Sequence, residues 1–112
     1  MAELDESAYS GLVSSVFKRM LATLDEVDPD VLDTEATGDM LTVTAAGGEK
    51  CIINTQRAVR QIWVAGTGQG LHFDWVPTSA SWLDDKGQGI ELFAHVERVL
   101  TELSGAPFTF GR

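Results

Sequence analysis

Eight carboxylates lie between Met20 and Glu49, and no lysine or arginine lies among them. They are Asp25, Glu26, Asp28, Asp30, Asp33, Glu35, Asp39 and Glu49. The rest of the chain sets eight basic residues against nine acids, so the formal charge of −9 comes almost wholly from this stretch. Carboxylate oxygens are hard ligands, suited to ferric iron, manganese, magnesium and calcium, and acceptable to ferrous iron. Asp33 and Glu35, two apart in an extended segment, would share one face at about 7 Å spacing. Asp25 and Asp28, three apart near a helix end, could share an ion. Several shallow sites completed by water are expected, binding weakly and with little selectivity. The alternative readings are electrostatic: such a block attracts basic protein surfaces, or guards a sheet edge against aggregation.

Other chemistries find less support. The run Asp28-Pro29-Asp30-Val31-Leu32-Asp33 lacks the glycine that a calcium loop needs at its sixth position. The two histidines, His72 and His95, form no His-x-x-x-His or Glu-x-x-His pair, so a two-histidine iron site has no basis. His95, flanked by Glu91 and Glu97, reads as a partly exposed helical residue. Cys51, the lone cysteine, reads as a small buried hydrophobe and suits a reducing cytoplasm. The glycine-rich run Gly66–Gly70 joins two strands and opens no helix, so it reads as a flexible hairpin loop and not a phosphate cradle.

The elements that must position these residues follow from periodicity. Tyr9, Leu12, Val13, Val16, Phe17, Met20, Leu21 and Leu24 recur on one helical face, which predicts a helix over about residues 5–26. Asp25 and Glu26 would then sit in its last turn, against the negative end of the helix dipole, a local cost of roughly 0.3–1 kcal/mol each. Period-two segments follow: 31–37, 40–45, 50–56, 61–65, 71–76 and a short piece around Trp82. Their short connections favour antiparallel neighbours. A second helix carries Leu92, Phe93, Val96, Val99, Leu100 and Leu103 on one face and stops at Gly105 and Pro107. The expected fold is an α+β two-layer sandwich, N- and C-terminal helices on one face of an antiparallel sheet of about six strands. One domain over residues 1–112 fits the length.

That architecture leaves one sheet face open, and alternation assigns its residues. Cys51, Ile53, Ile62, Val64, Phe73 and Trp75 would face the helices. Asn54, Gln56, Gln61, Trp63, His72 and Asp74 would face outward. A large aromatic on a polar face is a typical anchor for a partner protein, though cross-strand packing alone would also account for it. The acidic charge disfavours nucleic acid, no segment resembles a membrane span, and the acidic start Met1–Glu6 resembles neither a signal nor a transit peptide.

The run Asn54-Thr55-Gln56-Arg57-Ala58-Val59-Arg60-Gln61-Ile62-Trp63-Val64 resembles the signature strand pair of the frataxin family. His72-Phe73-Asp74, Trp82 and the Asp84-Asp85-Lys86-Gly87 turn resemble the bacterial, CyaY-type members, and the resemblance spans nearly the whole chain. It implies a small cytoplasmic iron-binding protein of iron–sulfur cluster assembly, not an enzyme. Iron would bind weakly and reversibly, as ferrous or ferric ion, along Asp25, Glu26, Asp28, Asp30, Asp33 and Glu35. The same ridge would dock on the cysteine desulfurase and modulate cluster formation. Asn54, Gln56, Gln61, Trp63 and His72 would meet the iron–sulfur scaffold protein. A monomer is implied, with metal-dependent oligomers left open. Thr55 and Ala58 stand where the family commonly has a basic residue and a proline. Leu21, Ala22 and Thr23 stand where several bacterial relatives carry a glutamate pair, so the upper ridge is thinner. The competing readings are ferroxidase or iron storage on the ridge, and a general electrostatic binder of basic proteins.

Overall fold

The computed structural model describes residues 4–110; Gly111, Arg112 and the first residues of the acidic start, Met1, Ala2 and Glu3, lie outside them. Helix α1 (Glu6–Leu24) opens on Asp5, whose Oδ1 accepts the Ala8 N–H at 2.8 Å. It buries Tyr9, Val13, Val16, Met20 and Leu24, and Leu12, Phe17 and Leu21 pack part-buried beside them. The helix ends two residues before the expected boundary. Asp25 is its C-cap and Glu26 lies outside, because the chain tightens there: the Glu26 and Val27 N–H groups bond Thr23 and Leu24 carbonyls at 3.1 Å.

Six strands follow: β1 (Leu32–Thr37), β2 (Met40–Ala45), β3 (Lys50–Gln56), β4 (Gln61–Gly66), β5 (Gln69–Val76) and β6 (Ser81–Asp84). Each pairs antiparallel with the next, so the sheet is a meander in chain order. Connections this short permit no crossover. Helix α2 (Leu92–Ser104) closes the chain, capped by Glu91 at its start and by Gly105 at φ +76 at its end. Both helices cover the same sheet face, as expected. Leu41, Val43, Cys51, Ile53, Ile62, Val64 and Phe73 are buried beneath them, and the Tyr9 hydroxyl ties α1 to the Gln61 carbonyl at 2.6 Å.

Two expectations are corrected. Gly66–Gly70 joins two strands as a hairpin, but the loop is shorter than expected: Gly66 pairs with Gln69 and Ala65 with Gly70, leaving only Thr67 and Gly68 to turn, both at positive φ. Gly66 is required by packing, since a Cβ there would lie 2.8 Å from Val99 Cγ1 on α2. His95 is buried, at 2 % exposure, with its ring 5.8 Å from that of Phe73. Three residues after Leu92 and four before Val99, it shares their inward face. Glu91 caps the Phe93 and Ala94 N–H groups instead of exposing the ring's side of the helix.

Candidate functional site: an acidic edge and an open sheet face

The acidic residues reach the surface because the elements that carry them end or lie at an edge. Asp25 and Glu26 follow α1, Asp28 and Asp30 lie in the turn before β1, and Asp33 and Glu35 lie on β1, an edge strand. All six are exposed, and none is in an ion pair among the described residues. The Asp28 carboxylate accepts the Asp30 N–H at 2.9 Å and so shapes the turn. Among the described residues no three histidine, cysteine or acidic side chains converge on a point that could hold a metal ion. The donors are arrayed along a ridge.

Asp39 separates from this group. Arg57, eighteen residues on, meets it at 3.0 Å, and that hydrogen bond holds the Asp39 carboxyl below the usual carboxylate range. Of the three residues Leu21, Ala22 and Thr23, two have structural roles: Leu21 packs against the core, and the Thr23 hydroxyl donates to the Phe110 carbonyl at 3.0 Å.

The register assigns the second surface. Asn54 pairs with Trp63 and Trp63 with His72, one row across the open face; Gln56 pairs with Gln61 and Gln61 with Asp74, the next row. Trp63 stacks on His72 at 4.0 Å with an interplanar angle of 12°. Its Nε1–H donates to Gln61 Oε1 at 2.8 Å, and the Gln61 amide nitrogen donates to Asp74 at 3.1 Å and Asp85 at 3.2 Å. Asn54 accepts from Gln56 at 3.2 Å. Thus the six residues assigned to this face by alternation share it, and Trp63 is held between the His72 ring and the Gln61 amide.

Asp85 is the member that sequence reasoning missed. Its N–H bonds the His72 carbonyl at 2.9 Å and its carboxylate lies 3.5 Å from His72 Nδ1. It follows β6, where no periodicity reports a position. The sheet also joins the two surfaces. Asp33 pairs with Thr44 and Glu35 with Thr42, so both acids lie on the same open face as Trp63, on a strand three spacings, ~14 Å, from β4 and offset along it. Cys51 is no nucleophile: it is fully buried, and burial pushes its thiol up to about 12.

Residues 2–106 match the family model of the frataxin-like domain. The chain is 38% identical over 86 residues to the iron-sulfur cluster assembly protein CyaY of Delftia acidovorans, covering 77% of this chain and 75% of that protein. It is 33% identical to the CyaY protein of Tolumonas auensis, covering 96% and 100% of the two chains. In fold it is similar to the frataxin of Psychromonas ingrahamii, with a TM-score of 0.84 at 24% identity, over 96% of this chain and 99% of that one.

Proposed function

We propose, for a chain that belongs to the frataxin-like family, that it serves iron–sulfur cluster assembly as an iron-binding adaptor and not as an enzyme. The role in cluster assembly is the one named for its bacterial relatives. The finer reading is that ferrous or ferric iron binds weakly on Asp25, Glu26, Asp28, Asp30, Asp33 and Glu35. That ridge docks on a cysteine desulfurase, and the Trp63 face meets the scaffold protein on which the cluster is built. No membrane or nucleic acid takes part, and the setting is the cytoplasm.

The observation that carries this reading is that six exposed carboxylates, none in an ion pair among the described residues, run from the end of α1 onto the edge strand, where Asp33 and Glu35 share the open face with Trp63. Solvated donors in a row hold an ion through a few oxygens and water, which permits release to a partner. A basic protein surface is attracted by the same charge, so iron and desulfurase compete for overlapping carboxylates. Arg57 reinforces the division of labour by removing Asp39 from the set.

The test is an anaerobic ferrous titration of isotope-labelled protein followed by backbone amide signals. Broadening confined to residues 25–35 is the expected result; broadening centred on His72 or His95 would refute the ridge. Alanine at Asp25, Glu26, Asp28 and Asp30 together should weaken both iron and desulfurase binding. Unchanged binding of both would end the assignment.

A further inference from the structure

Trp63 sits beside more negative charge than an aromatic anchor needs. Asp74 and Asp85 both lie within 3.2 Å of one amide nitrogen, that of Gln61. Gln61 thereby uses both its N–H donors on carboxylates while its oxygen accepts from Trp63. The bonds that hold Asp74 and Asp85 use one oxygen of each: Asp74 Oδ1 and Asp85 Oδ2. No lysine or arginine pairs with either residue among the described residues; the His72 ring, itself about two-fifths exposed, lies beside Asp85 with Nδ1 3.5 Å from its Oδ2.

We propose that this face receives an arginine side chain from the partner protein, its guanidinium bridging Asp74 and Asp85 beside the Trp63 ring. The inference rests on reading the Trp63 face as a docking surface and specifies what that surface recognises. Two carboxylates tied to one amide place acceptors side by side, the arrangement that a planar fork of five N–H donors can satisfy. Lysine offers a compact charge that would satisfy one carboxylate well and the other poorly. A bound metal is the poorer fit, because no three potential ligands converge here among the described residues. The indole adds a favourable cation–π surface. Preorganisation comes from the fold: the ring is fixed by the His72 stack and Gln61, and Asp85 is pinned by its own N–H to the His72 carbonyl at 2.9 Å.

The ligand for a first test is the peptide acetyl-glycyl-arginyl-glycine amide, compared with the same peptide carrying citrulline, which keeps the shape and loses the charge. The readout is the Trp63 indole N–H and the Gln61 side-chain amide signals of labelled protein. Arginine peptide should shift both saturably, and citrulline should bind about fivefold more weakly or worse. An Asp74→Asn, Asp85→Asn double variant should lose the preference while keeping the folded amide spectrum; should it fail to fold, the single Asp85→Asn variant carries the same expectation in reduced form. Equal response to both peptides, or arginine-induced shifts concentrated at residues 25–35, would overturn the proposal. The scaffold protein separates the two levels. If Trp63→Ala abolishes its binding and the asparagine variants do not weaken it, the docking surface stands and the arginine site fails.

Discussion

At the residue scale, the largest departure from the sequence pattern is His95, and its environment makes a pH prediction. Arg98 donates to Nδ1 at 2.8 Å and an arginine cannot accept, so the neutral ring carries its proton on Nε2. That buried N–H has no partner among the described residues. Burial, and secondarily the charge of Arg98, lowers the His95 pKa from its ordinary value. The unfolded chain takes up this proton near pH ~6.5, and the folded chain resists it to a lower pH. The stability held in the neutral ring is therefore complete above that point and is lost as pH falls from it toward the folded value. His95→Leu should flatten the slope of stability between about pH 7 and pH 5, measured by urea midpoints. At pH 7 it should be neutral or stabilising by about 1 kcal/mol, since it removes an unsatisfied donor. A variant with the wild-type slope would place that titration elsewhere. Asp84 poses the opposite case. Burial alone would raise its pKa, but the N–H groups of Ile90, Gln88 and Lys86 surround the carboxylate and hold it below the ordinary range. It organises the loop before α2 without joining the partner face.

At the scale of elements, the C-terminus of α1 sets stability against function. Asp25 caps the helix with a negative charge where the backbone carbonyls already concentrate negative potential, and no basic residue occupies the last turn. Asp25→Asn should therefore raise stability by roughly 0.3–1 kcal/mol in low salt while weakening iron at the ridge. A loss of stability would mean that the carboxylate is making a local contact. The packing of α2 on the sheet gives a prediction of the other sign. Gly66→Ala would press a methyl against Val99, 2.8 Å away, and should cost about 1–3 kcal/mol in thermal or urea unfolding. Elements of this kind were legible because their signals are local: the α1 stripe, the strand alternation and the Gly105 stop each lie within one segment. The partner face was legible for the same reason, since alternation orients Gln61, Trp63 and His72 once the helices claim the other side. What escaped was set between segments. Arg57 neutralises Asp39 from a different strand connection, Asp85 reaches Gln61 across two strands, and Gly66 answers to a side chain on α2.

For the whole molecule, the question is whether charge on one edge strains the fold that displays it. Six exposed carboxylates, none in an ion pair among the described residues, repel one another along the edge, and a net charge of −9 leaves little to offset them. A cation that binds the native ridge and not the unfolded chain stabilises by mass action, about 1.4 kcal/mol at ten times its Kd. For a chain of this size that corresponds to a rise of several degrees in Tm. Sodium chloride should raise Tm as well, by screening without site binding, and the two effects can be separated. Alanine at Asp25, Glu26, Asp28 and Asp30 should give a higher Tm than the parent in low salt and a smaller increment with divalent cation. Those opposite signs are the mark of a site maintained against stability. If the quadruple variant is no more stable than the parent in low salt, the carboxylates are too dispersed to strain the fold. Their exposure would then be a matter of solubility, and iron would have to be sought away from this edge.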